Sequence, residues 1–209
     1  RSLVGIIPLL AVEIMHKDVF EKLRQFNTRL QVIRLTRPDL TMIISDIEKK
    51  NKDGNYLFAI MIGDRLEHLL KRLLDEAEFL SDYGIRSLSR IHKDHPYVFT
   101  YQSRDYSIQY EPGESSSSMF GGNSNWRGPV WMPMNYLLVS ALNTYAGYYK
   151  DELVVELPTG SGNKMDLQKV AEEIYKRLIS SFRQDENGHR PVNDYFTIYR
   201  DDPNFKDLV

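Results

Sequence analysis

Four stretches of the chain carry apolar residues at intervals of three and four, the spacing that places side chains on one face of an α-helix. They are residues 9–33, 66–77, 134–145 and 166–182. Arg37-Pro38 closes the first stretch, because proline disfavours a helical conformation in the residue before it. The pattern therefore predicts one or two helices before Arg37 and one helix in each later stretch.

Polar residues mark where some of these helices begin. Asp64, followed by Glu67, and Asp166 stand where N-cap side chains accept hydrogen bonds from the first turn of a helix. Near the end of the chain, Asp202-Pro203 predicts the start of a further helix that is cut off before it is built.

Short β-branched and aromatic runs predict two β-hairpins. Residues 41–47 and 56–62 flank a polar loop with the turn dipeptide Asp53-Gly54, and residues 97–101 and 106–110 are aromatic-rich runs around a polar turn. Strands and helices do not alternate along the chain as they do in parallel-sheet proteins. The predicted fold class is mainly α with small β-hairpin insertions, arranged as a toroid or as helical layers.

Both tryptophans of the chain lie in one loop punctuated by glycine and proline, the tryptophan loop, which spans residues 121–136 and runs into the third predicted helix. Trp126 and Trp131 could close the end of a helical core, or they could form flat apolar walls of a ligand cleft. Burying an unpaired polar group costs about 1–3 kcal/mol, so the neighbouring Asn125 and Arg127 favour the cleft.

Two carboxylates precede the tryptophan loop, in Glu111-Pro112-Gly113-Glu114. Two interpretations are open: Glu111 and Glu114 are an acid and base pair for glycoside hydrolysis, or they hold the loop through backbone amides or Arg127. Their spacing fits either carboxyl separation that glycosidases use, so it does not discriminate between the two. We favour the second interpretation, and Glu114 remains a candidate substrate-binding residue.

Other polar groups offer less specific chemistry. Asp94 and His95 could be metal ligands or a general base with its orienting carboxylate, but a metal site needs three or four ligands, which favours a structural role. Arg86 and Arg90 are candidates for anchoring carboxylates of the site. The turn at residues 158–162 is rich in glycine but lacks the Gly-Lys-Ser/Thr ending of a phosphate-binding loop.

Composition narrows the possible partners. The 209 residues are 42% hydrophobic and 27% charged, as in a globular protein, and the net charge of -2 gives no general attraction to nucleic acid or to anionic membranes. The longest apolar run, residues 3–12, is shorter than the roughly 20 residues of a membrane span. Cysteine and Asn-x-Ser/Thr acceptor sites are absent, which favours a cytoplasmic location. We expect residues 1–209 to be a single segment of a longer polypeptide.

The tryptophan loop resembles a known signature. Asn-Trp-Arg-Gly-Pro-Val-Trp at residues 125–131, followed by Met-Asn-Tyr-Leu at residues 134–137, resembles the Trp-Arg-Gly-Pro signature of glycoside hydrolase family 63. Residues 83–89, 110–115 and 157–162 look like the uncharacterised bacterial and fungal branch of that family. The resemblance covers nearly the whole chain.

The resemblance implies an (α/α)6 barrel catalytic domain. It also implies inverting hydrolysis of α-linked glucosides or, in relatives, of mannosyl- or glucosylglycerate, without a cofactor. Such a barrel has about twice as many helices as the pattern predicts here, so the chain is expected to be the later half of the domain, truncated at both ends. Its partners are then a carbohydrate substrate and the remainder of its own polypeptide. The family's general acid, an aspartate, is expected before Arg1, and its general base, a glutamate, after Val209.

No catalytic residue is therefore assigned to this segment, which supplies part of the wall of a sugar site. The resemblance carries over Trp126 and Trp131 for stacking or packing, Arg127 for sugar hydroxyls or a carboxylate, and Asn125 and Asn135 for hydrogen bonds. A stacking indole contributes about 1–3 kcal/mol, so loss of Trp126 or Arg127 is expected to lower catalytic efficiency at least about tenfold without unfolding the protein. The alternative is a non-catalytic helical-barrel module that binds carbohydrate or a protein partner.

Overall fold

A computed structural model describes residues 1–41, 49–118 and 125–206. The helices of this part are α1 (Lys17–Lys22), α2 (Arg24–Thr36), α3 (Pro38–Thr41), α4 (Gly63–Leu73), α5 (Met132–Tyr149), α6 (Leu167–Ser180) and α7 (Thr197–Asp201). The strands are β1 (Val12–Met15), β2 (Tyr56–Ala59), β3 (Leu80–Ser81), β4 (Gly84–Ile85), β5 (Tyr97–Tyr101), β6 (Arg104–Ile108), β7 (Val154–Glu156) and β8 (Lys164–Asp166). Short 3-10 turns occur at Leu3–Gly5, Ile7–Leu10, Arg90–Lys93, Asn125–Arg127, Lys150–Glu152 and Pro191–Asn193.

The hydrophobic core lies where α4, α5 and α6 bring their apolar faces together. The predicted periodicity of these three helices is confirmed, and α5 packs along α6. Side chains with no exposed surface from all three helices meet there: Leu66, Leu70, Leu73, Leu138, Leu142, Tyr145, Leu167, Val170 and Ile174. Burial of this apolar surface is the main favourable contribution to folding, at about 25 cal/mol per Å².

Four two-stranded antiparallel sheets surround the helices in the described part of the chain. They pair β1 with β2, β3 with β4, β5 with β6, and β7 with β8. The second predicted hairpin is confirmed as β5 and β6, with Gln102 and Ser103 at positive φ in the tight turn between them. The described elements are thus helices with small β-hairpins, and the described helices do not close a barrel.

The prediction of helix alone for residues 9–33 is wrong, because β1 interrupts it. Val12 pairs with Ala59 in an antiparallel ladder, and Val12 and Ile14 pack against the core. The predicted partner of residues 56–62 is residues 41–47, and residues 42–48 lie outside the described part of the chain. In the described part, β2 pairs with β1.

Of the predicted helix starts, the cap at Asp64 is wrong, the cap at Asp166 is confirmed, and Asp202 caps a single turn at the end of the described residues. Helix α4 begins at Gly63, one residue before Asp64, and its N-cap residue, Ile62, has no capping side chain. The Asp166 carboxylate accepts the backbone N–H of Lys169 at 2.9 Å, as an N-cap should. At Asp202-Pro203 the Asp202 carboxylate accepts the N–H of Asn204 at 2.8 Å and the Lys206 N–H donates to the Asp202 carbonyl at 2.9 Å, as in a first helical turn, and residues 207–209 lie outside the described part of the chain.

Exposure differs strongly between the helices. Helix α2 has no buried residue, although its apolar residues have the predicted helical spacing. The strands β5 and β6 are also exposed along nearly their whole length. None of the helices in the described residues is long and apolar enough to cross a membrane.

Candidate functional site

The described part of the tryptophan loop lies against residues 83–89. Arg86 forms an isolated antiparallel bridge with Val130, and the Ser87 N–H donates to the carbonyl oxygen of Pro129 at 3.0 Å. The hydroxyl of Ser87 makes two more bonds, donating to the carbonyl oxygen of Asn125 at 2.6 Å and accepting from the N–H of Gly128 at 3.0 Å. The loop is therefore attached to a segment distant in sequence. Residues 121–124 lie outside the described part of the chain.

Gly128 has no room for a side chain. Its φ is +124°, a conformation that L-residues rarely adopt, and a Cβ atom built there would lie 2.2 Å from Cε2 of Tyr110. The Tyr110 hydroxyl accepts a hydrogen bond from Nε of Arg86 at 3.2 Å. Close packing of the Tyr110 ring on the loop backbone therefore requires glycine at position 128.

Arg127 is held inside the protein, with 1% of its side chain exposed. Nη1 donates to Oε2 of Glu111 at 2.7 Å, and Nη2 donates to Oγ of Ser117 at 2.5 Å. The Glu111 N–H also donates to the carbonyl oxygen of Arg127 at 2.7 Å. The interpretation that Glu111 holds the loop through Arg127 is confirmed, and the guanidinium faces these partners.

The Glu111 carboxylate is strongly stabilised in its ionised form. Hydrogen bonds from the Ser116 hydroxyl and the Gln109 side-chain amide, the Ser116 N–H and the charge of Arg127 lower the pKa of Glu111 to about 2. Near neutral pH such a group neither holds a proton to donate nor accepts one readily. Glu111 therefore suits an anchoring role better than acid or base catalysis.

Asn135 is fully buried, and the backbone occupies its amide. Oδ1 accepts the N–H of Ile85 at 2.7 Å, while Nδ2 donates to the carbonyl oxygens of Ile85 at 3.0 Å and Trp131 at 2.9 Å. These bonds fix the first turn of α5 to β4. Asn135 thus lies behind the loop surface and contributes to its geometry.

The two tryptophans form an edge-to-face pair with ring centroids 4.6 Å apart and an interplanar angle of 66°. Trp131 packs against the hydrophobic core, so it forms the base of the pair. Trp126 is 37% exposed and forms the outer member. An indole supported in this way offers an apolar face to solvent at low entropic cost, because its orientation is already fixed.

Two further predicted site residues are at the surface. Asn125 and Glu114 are both exposed, the first directly before Trp126 and the second on the stretch that leads to the loop. The predicted residues therefore divide into an exposed set and a buried set. The exposed set is Asn125, Trp126 and Glu114; the buried or partly buried set is Arg127, Trp131 and Asn135.

Two buried donors at this site lack a hydrogen-bond partner in the described residues. They are Nε of Arg127 and Nε1 of Trp131. A buried donor without a partner costs about 1–3 kcal/mol, so each of these groups favours an acceptor supplied by something other than the described residues.

The other sequence candidates have structural contacts. Arg86 is buried, and its Nη1 donates to the carbonyl oxygens of Glu76 and Leu80 rather than to a carboxylate. No group of three or more His, Asp or Glu in the described residues could hold a metal ion. In the turn at residues 158–162, the Gly160 N–H donates to Oε2 of Glu156 at 2.8 Å, which leaves a carboxylate where a phosphate would have to bind.

Sequence reasoning missed Ser87 and Tyr110. The motif at residues 83–89 was a signal for the first, and the stretch 110–115 for the second. Neither side chain could be assigned a role, because both act on backbone that is distant in sequence.

Comparison with known families decides where this arrangement belongs. Residues 57–184 match the model of the glycosyl hydrolase family 63 C-terminal domain. The chain belongs to glycosyl hydrolase family 63. The matched range contains the tryptophan loop together with residues 83–89 and Glu111, which contact it. The candidate site therefore lies within the family 63 domain.

Three fungal proteins are similar to this family 63 chain over all or part of its length. An uncharacterized protein of Saccharomyces cerevisiae is 42% identical over 212 residues, which cover 100% of this chain and 20% of the relative. A probable mannosyl-oligosaccharide glucosidase of Schizosaccharomyces pombe is 38% identical over 132 residues, covering 60% of this chain and 12% of the relative. A mannosyl-oligosaccharide glucosidase of Saccharomyces cerevisiae is 29% identical over 118 residues, which cover 54% of this chain and 11% of the relative. The chain thus spans a fifth or less of the length of these relatives.

Proposed function

We propose that the polypeptide containing these residues is a glycoside hydrolase that releases glucose from α-linked glucosides with inversion, and that this segment supplies part of the sugar-site wall. The observation that carries the proposal is the half-exposed Trp126, supported edge-on by Trp131 within the stretch that matches family 63. Two of the relatives are named as mannosyl-oligosaccharide glucosidases, which supports an α-linked glucose substrate.

Within the proposed site, the exposed residues contact the sugar. Trp126 stacks on a sugar ring, while Asn125 and Glu114 bind hydroxyl groups. Arg127, Trp131 and Asn135 act from behind, because they are buried or packed against the core. Their contribution is to fix the position of Trp126, which reduces the entropy lost when a sugar binds.

The catalytic carboxylates belong to other parts of the polypeptide under this proposal. Glu111 is unsuited to proton transfer, with a pKa of about 2. The proposed whole domain is an (α/α)6 barrel to which these helices contribute about half. A cytoplasmic location stays a prediction from the sequence.

The test measures hydrolysis by the intact polypeptide. We expect it to cleave para-nitrophenyl α-D-glucoside or α-linked glucose disaccharides, with proton NMR showing β-glucose as the first product, since an inverting enzyme reverses the anomeric configuration. Trp126→Ala should lower kcat/KM at least about tenfold, which corresponds to about 1.4 kcal/mol of lost binding. Its control is Tyr106→Ala, since Tyr106 is an aromatic residue of similar exposure on the hairpin of β5 and β6, 41% against 37% for Trp126.

Three results would count against the proposal. Absence of glucose release would favour the alternative, a non-catalytic module that binds carbohydrate or a protein partner. Release of α-glucose first would exclude inversion. Equal turnover by wild type and Trp126→Ala would remove Trp126 from the sugar site.

A further inference from the structure

The 3-10 turn Asn125–Arg127 carries Trp126, the outer tryptophan. The hydroxyl of Ser87 bonds the backbone at both ends of this turn. In a turn of this kind the carbonyl of one residue usually accepts from the N–H three positions later. Here Oγ of Ser87 bonds both groups as well, donating to the Asn125 carbonyl at 2.6 Å and accepting from the Gly128 N–H at 3.0 Å. Ser87 therefore ties both ends of the turn to residues 83–89.

Ser87 cannot reach a ligand itself. Its side chain has no exposed surface, and its own N–H is bound to the Pro129 carbonyl at 3.0 Å. The bonds of its hydroxyl and of its N–H all end on the backbone of the tryptophan loop, on both sides of Trp126, while its carbonyl oxygen accepts the N–H of Leu3 at 2.8 Å. Any effect of Ser87 on a bound sugar must therefore pass through the position of the loop.

The segment that carries Ser87 is itself rigidly placed. Asn135 holds Ile85 through both its N–H and its carbonyl, and Arg86 bonds the Leu80 carbonyl. The hydroxyl of Ser87 thus fixes the turn Asn125–Arg127, which carries Trp126, relative to the hairpin of β3 and β4. Such a chain of buried hydrogen bonds is costly to leave partly unsatisfied.

We infer that Ser87 is a positioning residue for Trp126, setting how the indole is presented to the sugar ring. This inference rests on the proposed function for its kinetic effect. Loss of the hydroxyl removes the two bonds that tie this turn to residues 83–89, which moves Trp126 relative to Trp131. Sugar binding weakens, and the chemical step does not change because no reacting group has moved.

The experiment uses Ser87→Ala in the intact polypeptide with para-nitrophenyl α-D-glucoside. We expect KM to rise about fivefold, the effect of losing one or two ordinary hydrogen bonds, with kcat within about twofold of wild type. In the Trp126→Ala background the same substitution should change KM by less than about twofold, since residues that act as a unit are not additive. Ser89→Ala is the matched control, because Ser89 is equally buried but donates to Oε2 of Glu78 instead of the loop.

A spectroscopic readout separates this inference from the proposed function. In protein labelled with 5-fluorotryptophan, the fluorine resonance of Trp126, identified by its loss in Trp126→Phe, should shift in Ser87→Ala and not in Ser89→Ala. A shift without any hydrolysis by the wild type would contradict the proposed function alone. An unchanged resonance, an unchanged KM, or an additive effect in the Trp126→Ala background would each overturn the role of Ser87.

Discussion

The tryptophan loop and the turn at residues 158–162 look alike in sequence and are built differently. Both are punctuated by glycine and proline. The 158–162 turn joins β7 to β8, and most of its bonds lie within its own hairpin, such as the Gly160 N–H to Glu156 and the Ser161 N–H to the Pro158 carbonyl. Among the described contacts of this turn, Thr159 alone bonds the α4 region: its hydroxyl donates to the Lys71 carbonyl, and its N–H donates to the carbonyl of Leu74, directly after α4.

The tryptophan loop takes its supports from distant segments instead. Different parts of residues 125–130 contact Ser87, Tyr110 and Glu111. The buried guanidinium of Arg127 forms the ion pair with Glu111. The two loops therefore differ in where their stabilising contacts come from. Contacts from distant segments hold the loop that exposes an indole, and contacts mainly within one hairpin hold the turn that only connects two strands. A loop fixed from outside can hold an exposed indole in one orientation, which a locally closed turn has no need to do.

The largest difference in stability between variants of the tryptophan loop and variants of the 158–162 turn is expected when a charged side chain that holds each of them is removed. Arg127→Ala should destabilise the protein by about 3 kcal/mol, because it deletes one partner of a largely buried ion pair. Glu156→Ala removes the corresponding anchor of the 158–162 turn, one hydrogen bond, and should cost about 1 kcal/mol. Pulse proteolysis of the intact polypeptide over a range of urea concentrations measures both.

This expectation differs from the sequence prediction that loss of Arg127 leaves the fold intact. The reason is its burial, which the sequence did not reveal. If Arg127→Ala and Glu156→Ala were equally stable, the ion pair would not be what fixes the tryptophan loop.

A smaller difference in stability is expected when one glycine at positive φ in each loop, Gly128 or Gly160, is replaced by alanine. Gly128→Ala introduces backbone strain and a clash with the Tyr110 ring, and should cost about 2–3 kcal/mol. Gly160→Ala introduces strain without a clash, since nothing lies within 4 Å of a Cβ atom there, and should cost about 1 kcal/mol. The same proteolysis assay compares them, and Tyr110→Ala combined with Gly128→Ala should recover part of the loss. Equal costs for the two glycine variants would show that the Tyr110 ring yields readily.

What the sequence could predict follows from how local the determining contacts are. The spacing of Leu138, Leu142 and Tyr145 predicts α5, and the Asp166 cap predicts the start of α6, because the groups that decide both lie within a few residues of each other. The pairing of β1 with β2 was missed, since Val12 and Ala59 are far apart in the chain and either could have formed a different local element.

The sequence places the candidate site on a loop, but it does not show which of the site residues are exposed and which are buried. Asn125 and Asn135 are the same residue type in the same loop, yet the first is exposed and the second is buried with both amide atoms bound to the backbone. The partner that decides this, Ile85, is distant in sequence. Ser87 was overlooked for the same reason, because a serine has no pattern that reveals which carbonyl it will reach.

Glu111 also makes the stability of the protein depend on pH. Its pKa is about 2 in the folded protein against an ordinary value of 4.5. A carboxyl whose pKa is lowered by folding stabilises the native state fully above its unfolded pKa, and this contribution is lost as the pH falls through the folded pKa. Wild-type protein should therefore lose stability as the pH falls from about 4.5 to about 2. Glu111→Gln should be less stable at neutral pH but should lose less over that window.

The control for this prediction is Glu114→Gln, because Glu114 lies in the same stretch and is exposed. It should follow the wild-type dependence on pH. Unfolding midpoints in urea, taken at several pH values in the acid range, give the three curves. Parallel curves for Glu111→Gln and wild type would mean that the Ser116, Gln109 and Arg127 contacts do not hold the ionised carboxylate. The position of the tryptophan loop would then depend on Ser87 and Tyr110 and not on the charge of Glu111.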